Sequence, residues 1–300
     1  MTGMPNILLP TTVVGSYPSI TRRGLGALID PMRAAVQTAV DDQLKAGVDI
    51  ISDGQVRGDM VESFTGRLPG IRGQEVIGKI MPPAGTISVA DTKYALSKAQ
   101  YVKGIITGPT TLSHALHIST PMYRSRGELA IDLARALSGE ALALVEAGVC
   151  MVQIDEPIFS TGIADIATGK EAISLITARL GIPACLHVCG DLSEVIDDVL
   201  TLPVQIFDFE FANNENNLEI LAEKDLRGRK IGFGCLDSTD PKVESINTVK
   251  NRIRAGIETF GPENLLLDPD CGLRMLPRET AYQKLVHLVS AAKETRKELE

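Results

Sequence analysis

The sequence predicts an α/β fold, a TIM (β/α)8 barrel forming a single domain over residues 1–300. Three observations predict it. Eight short apolar runs alternate with longer stretches of helical periodicity. Most runs are continuously apolar and end at Gly, Pro or Asp, as strands buried on both faces of a parallel sheet do. Polar residues gather at the C-terminal ends of the runs, where barrels of this type carry their chemistry. The alternative is an open doubly wound sheet, but no G-x-G-x-x-G follows the first run.

The strand expectations are TTVVGSYP (11–18), DIISDG (49–54), VKGIITGP (102–109), CMVQIDEP (150–157), PACLHVCG (183–190), QIFDFEF (205–211), KIGFGCLD (230–237) and NLLLDPDCG (264–272). From Pro31 to Ala46, Met32, Ala35, Val36, Ala39 and Val40 recur at helical spacing, with Pro31 suited to the first turn and Gly47 to the C-cap. Segments 126–147, 169–180, 191–200, 245–260 and 278–299 also read as helices. Segment 55–87 reads as non-helical, rich in Gly and Pro, a hairpin excursion over the barrel mouth. No linker, repeat or low-complexity tract divides the chain.

The composition, 44 % hydrophobic and 23 % charged, is ordinary for a globular protein. A net charge of −8 argues against a nucleic-acid surface. No apolar run has membrane-spanning length, and the N-terminus lacks a basic segment before an apolar core. Five cysteines at irregular spacing argue against a disulfide framework, and Cys150, Cys185 and Cys235 read as small buried hydrophobes. The expectation is a soluble cytoplasmic enzyme.

The polar strand ends are Ser16, Asp53, Thr107, Asp155, Glu156, His187, Cys189, Glu210, Asp237 and Cys271. Four of them suit one metal: His187 and Cys189 in LHVCG, Glu210 in FDFEF and Cys271 in DPDCG. His187 and Cys189 lie two apart and share one side of a strand. Two thiolates, an imidazole and a carboxylate suit Zn²⁺. The work suited to a thiolate-rich zinc is to activate another thiol, which points to alkyl transfer onto sulfur. Each ligand alone has a plainer reading: a hydrogen-bonded His, an inert Cys, a salt-bridged Glu. His114, His117 and His287 have no comparable setting.

TTVVGSYP, DMVESF, ITGPTT, QIDEPIFSTG, HVCG and LDPDCGLR resemble the motifs of cobalamin-independent methionine synthases, in that family's order from Thr11 to Pro277. The resemblance is to the catalytic C-terminal barrel, in the short core form of archaea and some bacteria. It implies a zinc held by His187, Cys189, Glu210 and Cys271, and homocysteine as the methyl acceptor. It implies that Gly15, Ser16 and Asp155 hold the amino-acid end of homocysteine. The family also uses a Glu after the second strand; here the region reads SDGQVRGDM, so Gln55 or Asp53 stands nearest. Adjacent Asp155 and Glu156 could instead be carboxylates that cap a loop, the less favoured reading.

Two departures concern the donor. The long enzymes stack a Trp on folate, and this chain has no Trp. They also place a His after the seventh strand to protonate the leaving nitrogen, where this chain has Asp237, the candidate for any catalytic role there. An amine leaving group needs an acid, whereas a corrinoid leaving as Co(I) does not. The expected donor is therefore a methylcobalamin or methyl-corrinoid carried by a partner protein. The rival readings are a methylcobalamin:coenzyme M-type thiol methyltransferase, a metal-free lyase of the uroporphyrinogen decarboxylase type, and a binding module with a structural zinc.

Overall fold

In this computed structural model the structure describes residues 3–19 and 30–299. The first elements are α1 (Arg33–Ala46), α2 (Glu62–Thr65), β1 (Ile71–Arg72), β2 (Glu75–Val76) and α3 (Val89–Leu96). Then come β3 (Lys103–Thr107), α4 (Pro109–Ala115), β4 (His117–Ile118), α5 (Arg126–Ala147) and β5 (Met151–Asp155). After a 3₁₀ turn follow α6 (Ile166–Thr177), β6 (Ala184–Val188), α7 (Ile196–Val199), β7 (Ile206–Glu210) and α8 (Asn216–Ala222). The chain finishes with β8 (Lys230–Leu236), α9 (Ile246–Phe260), β9 (Leu265–Pro269) and α10 (Arg278–Leu299).

Strands β3, β5, β6, β7, β8 and β9 pair in parallel in that order. The two N-terminal runs close the ring between β9 and β3. Thr11 bridges Leu267 and Ile51 bridges Val102, while Ile50 N donates to Thr11 O at 3.0 Å. The result is a (β/α)8 barrel. Runs 11–18 and 49–54 are thus bridge positions rather than the continuous strands expected of them. The reason lies in their hydrogen bonding, since side chains replace ladder partners. Asp49 Oδ2 takes both the N–H and the hydroxyl of Thr11 at 2.8 Å, and Gln43 Oε1 takes the N–H of Ser52 at 2.8 Å.

The N-terminal end of the ring is plugged by Ile50, Cys150, Met151, Cys185, Ile206 and Leu266, a buried apolar cluster contributed by successive strands. The mouth at the opposite end is thereby left to the polar strand ends. Helix α1 begins at Arg33, two residues after Pro31, and Gly47 N–H caps its end on Gln43 O and Leu44 O. The stretch 191–200 holds only the single turn α7, because Leu202 and Val204 already lead into β7. Within 55–87 the non-helical expectation is corrected by α2, a four-residue turn, and the β1–β2 hairpin pairs Ile71 with Val76. Helices α3, α4 and α8 lie in segments that showed no clear helical pattern. No described helix is long and apolar enough to cross a membrane.

Candidate active site

His187 is the fourth residue of β6, Cys189 follows the strand end, and Cys271 lies just past β9. Their donor atoms lie within 4.8 Å of one another. Asp208 on β7 faces His187, with Oδ1 3.2 Å from Nδ1. That contact assigns the ring proton to Nδ1 and leaves Nε2 as the lone-pair nitrogen. Nε2 is buried and, among the described residues, has no hydrogen-bond partner. Burial opposes a charge on His187, yet the Asp208 carboxylate and the two sulfurs outweigh it and raise its pKa. The neighbouring Cys189, and then His187, pull the Cys271 thiol down against burial. Two sulfurs and an uncommitted, carboxylate-oriented imidazole fit zinc.

Glu210 is not part of this cluster. Its Oε2 accepts from Asn214 Nδ2 at 2.5 Å, and burial, then the neighbouring Cys271 charge, raises its pKa. Three of the four expected donors are thus assembled within 4.8 Å of one another, and Glu210 stands beside them, near enough to feel the charges of Cys271 and His187. Its reach was not readable from FDFEF, because Asn214 in the following loop competes for the carboxylate.

The three donors open onto a cavity of about 650 Å³ that is also lined by Ser16, Asp53, Gln55, Asp155 and Gly272. Gly15 sits behind it, since a Cβ there would fall 2.5 Å from Gln55 Oε1. Gln55 holds a left-handed φ of 42°, a conformation that costs a side-chain-bearing residue energy and concentrates at functional sites. Asp53 helps hold that turn, accepting from Gln55 N at 2.9 Å and from Thr92 Oγ1 at 3.2 Å. Ser16 Oγ lies where a Cβ on Gly272 would go, 2.0 Å away, so a side chain at 272 would displace Ser16. Burial pushes Asp155 up to about 6, and Gln153 Nε2 donates to its Oδ1 at 2.7 Å. Asp53 is likewise pushed up to about 6 by burial.

Two other strand-end acids face away. Glu156 accepts from Thr110 N at 2.9 Å, Thr111 N at 2.6 Å and Thr111 Oγ1 at 2.7 Å, capping the start of α4. The loop-capping reading, less favoured from sequence, is thus the correct one for Glu156. Asp237 does not line the cavity; its Oδ1 accepts from Thr239 N, Thr239 Oγ1 and Asp240 N. The expected catalytic placement of Asp237 is corrected: backbone donors of its own loop hold the carboxylate. Thr107 Oγ1 anchors the excursion through Met60 O at 2.6 Å. Cys150, Cys185 and Cys235 are buried, as small hydrophobes are.

Sequence reading missed Asp208, Gln153 and Asp270. Asp208 sits two residues before Glu210, so FDFEF carried a second inward acid in plain view. Asp270 accepts the N–H groups of Phe211, Ala212 and Asn213 at 3.1, 2.9 and 2.6 Å, holding the loop after β7 beside Cys271.

Residues 9–294 match the family model described as the catalytic domain of cobalamin-independent synthase. A methionine synthase of Methanothermobacter marburgensis is 46 % identical, covering 95 % of this chain and 99 % of that protein. A methionine synthase of Saccharolobus solfataricus is 35 % identical, with 97 % and 96 % covered. Among solved structures, a B12-independent methionine synthase from Shewanella in complex with selenomethionine superposes with a TM-score of 0.84 at 26 % identity, covering 97 % of this chain and 99 % of that one.

Proposed function

This chain belongs to the cobalamin-independent methionine synthase family, and we propose that it methylates the thiol of homocysteine at the His187–Cys189–Cys271 corner, from a methyl-corrinoid donor. As a family member it is a methyltransferase that forms methionine. The observation that carries the substrate reading is the convergence of the three soft donors with Ser16, Gln55 and Asp155 on one cavity.

His187, Cys189 and Cys271 would hold the zinc, with Asp208 orienting His187. Zinc supplies there a lowered thiol pKa, giving a sulfur nucleophile at neutral pH. Asp155 would take the substrate ammonium, a charge-assisted pairing favoured inside a buried pocket. Gln55, held over Gly15, would orient the amino-acid end beside Ser16. In the transfer, the sulfur–methyl bond forms as the methyl–donor bond breaks, and the donor leaves with the bonding electron pair. Selenomethionine in the Shewanella structure, a product analogue, supports an amino-acid thioether site in this family.

The donor reading rests on two residue facts. The chain offers no Trp to stack on a pterin, and Asp237 is committed to its own loop and so is not placed to protonate a leaving nitrogen. A corrinoid departing as Co(I) needs no such proton. The family's name concerns resident cobalamin; here the corrinoid is a substrate carried in by another protein. The test is methionine formed from homocysteine with methylcobalamin and methyltetrahydrofolate at matched concentration. Turnover with methylcobalamin alone is expected. Turnover with the folate and no corrinoid overturns the donor assignment while leaving the thiol chemistry intact.

A further inference from the structure

Beneath the cavity, inside the ring, lies a lysine that ligand chemistry does not account for. Lys103 on β3 is 1 % exposed, although a lysine is seldom buried without a partner. Its Nζ donates to Gln153 Oε1 at 2.5 Å. Gln153 on β5 is fully buried, and its Nε2 donates to Val14 O and to Asp155 Oδ1, each at 2.7 Å. The three side chains form one line from the barrel interior to the cavity wall.

The polarity of this line is dictated by chemistry. Lysine offers donors and no acceptor, so the Gln153 amide must present its carbonyl to Lys103. Its NH₂ is then the end that meets Asp155. Asp155 accepts on Oδ1, and among the described residues no protein donor reaches Oδ2, while the residue lines the cavity. Were the amide reversed, its carbonyl would oppose the carboxylate and drive Asp155 from its place. Val14 O, which takes the second N–H of the same NH₂ group, belongs to the run that carries Ser16, so the same amide ties the two sides of the amino-acid pocket together.

We propose that Lys103 is a positioning residue for recognition of the substrate ammonium: it locks the Gln153 amide in the orientation that leaves Asp155 Oδ2 turned to the cavity. This rests on the assignment of Asp155 to the ammonium made above. Lys103 touches neither substrate nor metal and acts through Gln153.

The measurement is a specificity ratio, kcat/KM for homocysteine divided by kcat/KM for the same thiol acid lacking the amino group. The ratio does not depend on how much of a preparation is folded, so a merely structural role leaves it unmoved. Lys103→Met should lower it about tenfold, the size of a lost charge-assisted hydrogen bond, with zinc content unchanged. Gln153→Met should do the same, and the double variant should fall no further, since both act on one contact. Asp155→Asn is the control for the underlying reading and should lower the ratio at least as much. If Asp155→Asn lowers the ratio and Lys103→Met retains the wild-type value, the positioning role is overturned. If Asp155→Asn itself leaves the ratio unchanged, the ammonium assignment fails and the inference with it. Should Lys103→Met not fold, Gln153→Glu decides: it keeps a partner for Lys103 but opposes a carboxylate to Asp155, and an unchanged ratio there overturns the proposal.

Discussion

The corner bearing His187, Cys189 and Cys271 hangs from β6, laddered on both sides, and from β9, laddered along its length to β8 and met on its other side by the Thr11 bridge. The wall bearing Ser16, Asp53 and Gln55 hangs from two runs that touch the ring at single bridges and are otherwise held by scattered backbone bonds and by side chains such as Asp49 and Gln43. One is set by backbone register, the other by a local network that includes a left-handed Gln55. The difference separates two tasks. Reactive donors at or just past the ends of laddered strands have their spacing set by the ladder, whereas an irregular wall can be reshaped for a substrate without disturbing them.

The largest expected effect breaks the corner. Cys271→Ser should lose bound zinc and methyl transfer while remaining folded, because Cys271 lies beyond β9 and outside the apolar core. The loss of metal affinity should exceed the roughly 10–100-fold that removing an outer partner costs. Metal content and turnover on the purified variant check this, and wild-type values for both would remove the corner from the mechanism.

Next comes Asp208→Asn, which spares all three donors but weakens the orientation of His187. Zinc affinity should drop about 10–100-fold, read by competition with a chelator. No change would show that the strand alone fixes the ring.

Glu156 sharpens the comparison through pH. Burial pushes its carboxyl up to about 7. In the native state it therefore keeps a proton that the unfolded chain has already released. Its contribution to stability is present at low pH and is lost as pH rises from the ordinary glutamate range through about 7. Glu156→Gln removes that slope, so its stability should depend less on pH by up to about 3 kcal/mol between pH 5 and 8. Urea unfolding at several pH values measures it, and parallel pH profiles for both proteins contradict it.

The smallest effect belongs to the irregular wall. Gln55→Gly relieves a left-handed residue and should raise stability by no more than about 1 kcal/mol. It should also raise the homocysteine KM and leave zinc content untouched. A variant that loses zinc would mean the two regions are not separable.

The same division explains what the sequence made legible. His187, Cys189 and Cys271 were readable because strand periodicity places alternate residues on one side and continuous apolar runs locate the strands. Asp237 and Glu156 were readable as strand-end acids, but not by direction. The Asp237 loop donors and the α4 amides compete for those carboxylates, and each competitor lies outside the strand pattern. Runs 11–18 and 49–54 looked like strands because β-propensity does not register that Asp49 and Gln43 take their N–H groups. Lys103 disappeared into the apolar run VKGIITGP, as its partner Gln153 lies 50 residues away.

Ring closure has a temporal side. Thr12 N pairs with Leu267 O, and Arg296 of α10 grips Leu8 O and Leu9 O, contacts spanning up to 288 residues. Those are the longest loops the chain must close, and their entropy is recovered only when both ends meet. During synthesis at about 5–20 residues per second, the segment carrying Ser16 waits for more than 250 further residues before its partners at Leu267 and Leu273 exist. The thiol-handling corner and the amino-acid wall are therefore joined only after β9 and α10 have been made, and a nascent chain cannot assemble the pocket before the ring closes.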